Sequence, residues 1–531
     1  MVHIHPQSKA SPELSEEADT FQRSAMTEVE PTSLVQDLIN ICMRSFCDSS
    51  RLEKLLFNSG KPDHQIKAKS RDDALKSCGQ PILRLLLHLS NSIKNHAGGY
   101  DFILQRLDDM IALATEKFYA FPFKDVPPCW QQLFREASLL KFSALSVRDI
   151  WGDVGYSQKS GLQISCLESS QMDDLVYVLD MALIMAGLPD SELAQAEITT
   201  VLDILQRIHV ASAEQVHEEP ATKRRKLVIR HEDSPSHFPD FSPYIPSVAN
   251  SIPRKQLPTL DVFQKHMSQP SNQDLGPEPL IITGALDRWP ACKENSWKNP
   301  TYLLSKTIGG RRLVPVELGR SYVDEGWGQK IVSFNDFMEQ YILLDAKTPT
   351  HATGYLAQHN LFTQIPSLRR DITIPDYCYT APPPPHSSSP LAEKHSRMPE
   401  LGEPLLNAWF GPAGTISPLH TDPYHNILSQ AVGRKYIRLY APRESEKLYA
   451  RGVEDGGVDM ENTSEVDIGL LSGWDGTKQE KSDAHEKFPL FKEAQFVDCI
   501  LEEGECLYIP IGWWHYVRSL SVSFSVSFWF N

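Results

Sequence analysis

Hydrophobic positions follow two rhythms along this 531-residue chain. Between residues 31 and 210 they recur at helical spacing. SLVQDLINIC at 33–42 and PILRLLLHL at 81–89 place apolar side chains three and four apart, and residues 100–119, 129–145, 172–186 and 190–209 continue the series. These stripes predict an all-α domain whose helices bury their apolar faces against one another. No repeat of solenoid length is evident. From residue 257 onward the period shortens to two, in short runs of β-branched and aromatic residues broken by turn formers. EPLIITG at 278–284 and RRLVPVELG at 311–319 read as strands, and 297–308 and 334–344 as short helices. The last run is the clearest. Leu520, Val522, Phe524, Val526 and Phe528 alternate with serines at 521, 523, 525 and 527, which predicts a half-buried barrel strand.

The fold class is therefore α+β and multidomain: a polar tail at 1–30 expected to be disordered, an N-terminal all-α domain at 31–210, a flexible linker at 211–256, and a β-rich domain at 257–531. The linker carries a basic cluster, Lys223, Arg224, Arg225 and Lys226, which reads either as a nuclear import signal or as a solvated charge run. Two polar excursions, 381–400 and 452–486, interrupt the strands and read as surface loops without a function of their own.

Charge and cysteine usage narrow the function classes. A formal net charge of −16 argues against binding to a nucleic-acid backbone, so no direct nucleic-acid contact is expected and a basic protein or peptide suits better. Nine cysteines are scattered without a Cys-x-x-Cys pair, which excludes zinc-finger modules and a disulfide framework and predicts reduced thiols in an intracellular compartment. The opening residues lack an apolar signal region, and no apolar run is long enough to span a bilayer. Neither secretion nor a membrane is expected.

The chemistry concentrates in residues 409–440, WFGPAGTISPLHTDPYHNILSQAVGRKYIRLY. His420 and Asp422 stand two apart, and on a strand both project to one face. With 18 histidines in the chain, a His-x-Asp triplet arises about once by chance. His231-Glu232-Asp233 is such a decoy, set in the charged linker, whereas His420 lies among glycines, aromatics and alternating strands. His515, in YIPIGWWHYV at 508–517, supplies a third donor; alone it reads equally as a core histidine beside Trp513 and Trp514. Two histidines and a carboxylate form the facial triad of non-haem Fe(II) oxygenases, although zinc and manganese accept the same donors. Lys435 shares its strand face with Ile437 and Leu439, so its ammonium either snorkels to solvent or meets a carboxylate inside.

Together with three separate motifs elsewhere in the β-rich half, VPVELGRSY at 314–322, GYLAQHNLF at 354–362 and IPDYC at 374–378, residues 409–440 and 504–529 resemble the JmjC branch of Fe(II)/2-oxoglutarate oxygenases, from about residue 258 to the end. Thr421, Tyr424 and His425 depart from the pattern, where glutamines are expected, and His425 is expected to be exposed and not a ligand. The resemblance implies a double-stranded β-helix, a cupin-like jelly roll with flanking helices. It also implies Fe(II) on His420, Asp422 and His515, with 2-oxoglutarate and O2 as cosubstrates. Lys435 would hold the distal carboxylate of 2-oxoglutarate with help from Tyr355, Asn426 would orient the iron-side carboxylate, and Ser417 and Trp409 would line the pocket. For Asn426 a turn or cap is the bland alternative, and for Tyr355 simple packing in a helical-looking stretch.

On the substrate side the resemblance places Glu317, Gln358, Ser417 and Trp529. A carboxylate such as Glu317 suits a guanidinium through two parallel hydrogen bonds, unless it merely pairs with Arg320. The expected activity is hydroxylation of an arginine side-chain carbon in a protein substrate. The competing readings are demethylation of a methyl-lysine histone tail in chromatin, a catalytically inactive binding scaffold, and a zinc or manganese cupin without an oxo acid. A nuclear location is expected, with the cytoplasm left open, as is the oligomeric state.

Overall fold

The computed structural model describes residues 31–57, 71–121, 125–148, 151, 167–218, 237–239, 244–323, 326–344, 353–454 and 457–531. The expected tail at 1–30 and the basic cluster lie outside these residues, so neither reading is addressed by them. Contacts divide the chain into two compact units, Met1–Arg225 and Lys226–Asn531.

The first unit is helical. Its helices Pro31–Ile41, Gln80–Lys94, Tyr100–Tyr119, Pro128–Ser146, Ser169–Ala186 and Glu192–Glu218 follow the apolar stripes. In Gln80–Lys94 the buried positions Leu83, Leu86, Leu89, Ser90 and Ile93 form one face, which packs on Ile103, Leu107, Leu133 and Ala137. A capping box between Glu168 and Gln171 starts Ser169–Ala186 by satisfying two of its free N–H groups. The final helix runs to Glu218, past the expected domain end at 210.

The second unit holds thirteen strands among its described residues. They are β1 (Arg254–Gln256), β2 (Leu280–Thr283), β3 (Leu313–Leu318), β4 (Gly328–Ser333), β5 (Gly354–His359), β6 (Leu405–Gly411), β7 (Ile416–His420), β8 (His425–Val432), β9 (Lys435–Tyr440), β10 (Phe496–Leu501), β11 (Glu505–Ile509), β12 (Trp514–Ser519) and β13 (Ser523–Phe530). One sheet has the order β1-β2-β11-β8-β13-β6-β5-β3-β4, and the other β10-β9-β12-β7. Neighbours are antiparallel apart from β1 and β2. This is a cupin-like jelly roll with flanking helices. Gly433 makes the turn from β8 to β9 at φ 71°, where an added Cβ would stand 2.0 Å from the Val522 carbonyl oxygen, so no other residue fits.

Several sequence expectations need correction. The expected linker at 211–256 is entered from both sides: its first residues continue a helix, and its last ones belong to the β unit. There Ala249 and Asn250 donate backbone N–H bonds to the buried Asp498 carboxylate at 3.0 and 2.7 Å. Strand β13 is buried on both faces rather than half-buried. Phe524, Val526 and Phe528 pack outward on Trp289, Trp297 and Phe410, while the serines turn into the barrel, where Ser525 donates to Gln430 and Ser527 accepts from the Trp409 indole. A serine face reads as solvated only if the other side of the sheet is water. Residues 354–359 form strand β5, not a helix, since Tyr355 pairs with Glu317 of β3. Nor is the excursion at 452–486 merely a loop: Val466, Ile468 and Leu471 bury themselves with Tyr436, Tyr440 and Tyr516 on the outer face of the smaller sheet. From the excursion at 381–400, Ser389 and His395 are buried too.

Candidate metal centre

Long-range pairing brings the predicted triad together. His420 ends β7 and pairs in register with His515 of β12, and a bulge follows in which three steps on β7, from Ser417 to His420, match two on β12, from Val517 to His515. The bulge resets the alternation so that Ser417, His420, His515 and Val517 all line one cavity. Asp422 arrives differently from the sequence argument. It stands beyond the end of β7, in the turn leading to β8, so a turn rather than strand alternation aims it.

One donor atom from each of His420, Asp422 and His515 lies within 4.8 Å of the other two. Asp422 Oδ1 is 3.8 Å from His420 Nε2, and its Oδ2 is 3.5 Å from His515 Nε2. Each imidazole is oriented the same way. His420 Nδ1 contacts the Pro418 carbonyl at 2.7 Å and His515 Nδ1 the Trp513 carbonyl at 3.1 Å. A carbonyl only accepts, so Nδ1 carries the hydrogen and the Nε2 lone pair faces Asp422, as ligation requires. Burial, aided by His515, pulls the His420 pKa down to about 4, which keeps the ring neutral. Burial alone would push the Asp422 carboxyl up, but the proximity of His515, with His420 beside it, holds it below the ordinary value.

Deeper in the cavity, Lys435 is 1% exposed. It does not snorkel, and among the described residues no carboxylate meets it. Its hydrogen bond goes to Tyr355 Oη at 3.3 Å, and burial drags its pKa from 10.5 to about 7. Tyr355 projects from β5 with its own pKa raised by burial and by Glu317, and the Ser417 hydroxyl serves it as a hydrogen-bond partner. Trp409 from β6 lies 6.2 Å from the Tyr355 ring. Asn426 on β8 enters the same cavity with its Oδ1 buried and unpartnered. Leu428, Ile509 and Val517 complete an apolar wall that the sequence reading passed over, although each sits on the inward phase of its strand.

The expected substrate residues are less uniform. Glu317 is largely enclosed, burial raises its pKa, and Trp327 is its hydrogen-bonding neighbour. The suggested pairing with Arg320 does not occur, because that guanidinium binds Asp475 at 2.9 Å and Asp467 at 3.6 Å. Tyr322 feels both Asp422 and Glu317 electrostatically, which sets Glu317 near the metal ligands. Gln358 is exposed at a bulge of β5, with φ 46°, and does not line the cavity. Trp529 pairs opposite Asn426 and leaves its buried indole N–H without a partner.

His425 is a further correction. It is buried rather than exposed, with Nδ1 at 2.8 Å from the Tyr508 hydroxyl and Nε2 at 3.0 Å from the Pro383 carbonyl. The acceptor carbonyl puts the hydrogen on Nε2, and burial lowers the pKa to about 4. Sequence gave no sign of His395, whose buried Nδ1 is unpartnered and whose charge couples to Asp422.

A jelly roll with a largely enclosed His-Asp-His cluster lining its cavity defines a cupin-like protein, and the family model for the cupin-like domain matches residues 269–531. Lysine-specific demethylase 8 of Xenopus tropicalis is 34% identical over 424 residues, covering 72% of this chain and 84% of that protein. Its Danio rerio counterpart is 34% identical over 427 residues, covering 80% and 87%. Lysine-specific demethylase JMJ30 of Arabidopsis thaliana is 44% identical over 253 residues, covering 48% and 50%. The chain belongs to the JmjC family of 2-oxoglutarate-type oxygenases, whose members generally use Fe(II) and 2-oxoglutarate.

Proposed function

We propose that this protein is an Fe(II)- and 2-oxoglutarate-dependent protein hydroxylase acting on an arginine side-chain carbon. The observation that carries the cosubstrate is Lys435: an enclosed ammonium whose one hydrogen bond among the described residues goes to a tyrosine hydroxyl is the complement of a carboxylate brought in by a ligand. The residues fit the group. Two imidazoles whose Nε2 atoms face a carboxylate make a donor set for Fe(II), and the buried, unpartnered Asn426 amide oxygen in the same cavity awaits a bonding partner.

Bound there, Fe(II) with 2-oxoglutarate and O2 would supply the oxidising power, converting the oxo acid to succinate and carbon dioxide as a substrate C–H gains oxygen. The chain's own residues bind and exclude. Lys435 and the Tyr355 hydroxyl hold the distal carboxylate, and Asn426 with Trp409 and Ser417 fixes its other end. The carbonyls of Pro418 and Trp513 keep both imidazoles in the ligating tautomer. Leu428, Ile509 and Val517 keep water from the reacting end.

For the substrate, Glu317 favours arginine. Among the described residues no basic side chain reaches it, and an enclosed carboxylate without a cation is suited to a guanidinium, which offers two parallel donors and does not titrate. The names of the relatives favour a second reading, lysine demethylation. Incubation of arginine-bearing and methyl-lysine peptides with Fe(II) and 2-oxoglutarate separates them. A stable product heavier by one oxygen on arginine supports hydroxylation, and formaldehyde release from methyl-lysine supports the second reading. A nuclear site of action is part of the proposal and rests on the basic cluster alone.

A further inference from the structure

The excursion at 452–486 reaches the two ligands that lie closest in sequence. Strand β7 is the edge of the smaller sheet and ends at His420, so no strand neighbour continues beyond that residue. Residues 462–464 take that place. His420 forms an antiparallel bridge with Thr463, and Ser464 N–H donates to the Leu419 carbonyl at 2.8 Å. Thr421 N–H then donates to the Asn462 carbonyl at 2.8 Å, while the Asn462 side-chain amide donates back to the Thr421 carbonyl at 3.2 Å.

Those two groups of Thr421 belong to the two successive peptide planes that join the Cα of His420 to the Cα of Asp422. Each plane is rigid, so the only freedom between the two side-chain roots lies in the rotation of one plane against the other. A single residue grips both. The gripping segment is itself held in place: Arg451 N–H donates to the Thr463 carbonyl at 2.7 Å, and Ser464 Oγ joins the Leu448 carbonyl to the Val466 N–H. Lys394 of the other excursion pairs with Asp459 and Glu461 just ahead of Asn462.

We infer that Asn462 is a positioning residue of the metal centre, its carbonyl and side-chain amide together setting the separation of His420 and Asp422 and through it metal affinity and ligand geometry. The inference rests on the metal reading above. A strap that merely stabilised the barrel would also bond to β7, but it would not need to bond both planes between two ligands.

The test is anaerobic titration of the full chain with Co(II), read by visible absorption. Asn462→Ala and Asn462→Asp both remove the side-chain donor, the second at nearly unchanged size; should the first fail to fold, the second decides. Ser464→Ala is the control, since it loosens the same strap without touching the Thr421 peptides. Both Asn462 variants are expected to bind Co(II) about 10- to 100-fold more weakly, with an altered visible spectrum. Ser464→Ala should lower the melting temperature and keep wild-type affinity and spectrum. Wild-type affinity and spectrum in a folded Asn462 variant would overturn the inference, as would an equal loss in Ser464→Ala. A wild-type chain that binds Co(II) no better than His420→Ala would instead remove the metal reading itself.

Discussion

Replacing Lys435 by methionine should make the protein more stable and less able to bind its cosubstrate. The ammonium is enclosed, and the fall of its pKa from 10.5 to about 7 is caused by burial. At about 1.4 kcal/mol for each tenfold change, that fall corresponds to a cost on the order of 5 kcal/mol for keeping the charged form in the closed site. Because the folded-state pKa lies below the unfolded one, this destabilisation is complete below pH 7 and is relieved as pH rises toward 10.5. Methionine fills similar space without a charge, so the melting temperature of the β unit should rise by roughly 10 °C at pH 6.5, and the gain should shrink in alkaline buffer. Cosubstrate binding should move the other way. Removing one partner of a buried ion pair costs about 3–5 kcal/mol, which is on the order of a hundredfold or more in affinity. In the wild type only the protonated lysine holds a carboxylate, so 2-oxoglutarate affinity should fall about tenfold per pH unit above the lysine's pKa, with a proton taken up on binding. Thermal melts across pH, with calorimetric titration of 2-oxoglutarate into Mn(II)-loaded protein, read both effects. A Lys435→Met variant that is less stable, or that binds 2-oxoglutarate as the wild type does, would refute the reasoning.

Other consequences follow from single contacts. Glu317→Gln removes the enclosed carboxylate and should raise KM for an arginine peptide by roughly 10- to 100-fold, as expected for a lost charge-assisted hydrogen bond, with 2-oxoglutarate binding unchanged; steady-state kinetics that show no change would assign the substrate elsewhere. His425→Phe leaves the Tyr508 hydroxyl without its acceptor and the Pro383 carbonyl without its donor, so chemical denaturation should report a loss of about 1–3 kcal/mol while Co(II) affinity stays near wild type. Gly433→Ala forces a Cβ to within 2.0 Å of the Val522 carbonyl oxygen at a positive φ, and soluble yield should collapse; a well-folded variant would mean that the β8–β9 turn relaxes easily.

Legibility followed the range of the interactions. The helices of the first unit were readable because their apolar spacing is local, and Tyr100–Tyr119 begins and ends where the pattern does. Lys435 was readable for a similar reason: alternation alone placed it with Ile437 and Leu439 on the inner face of β9. The direction in which a polar face turns was not readable. The serines of β13 and His425 of β8 look solvated in sequence, yet closure of the sheet puts a barrel interior on one side and packed helices on the other. Asp422 was identified for a reason that does not hold, since a turn rather than a strand aims it. Asn462 and His395 gave no local signal, because each reaches the site from a polar excursion whose path is set by tertiary contacts. Gln358, carried over by resemblance, stands exposed on a bulge, a placement that strand alternation could not have indicated.

The central claim is that His420, Asp422 and His515 hold Fe(II) beside a lysine that binds 2-oxoglutarate. Anaerobic addition of Fe(II) and 2-oxoglutarate to the purified chain, followed in the visible range, addresses it directly. A metal-to-ligand charge-transfer band that requires both additions, disappears in His420→Ala and weakens in Lys435→Met is the predicted result. Folded, iron-loaded protein that shows no such band would contradict the account.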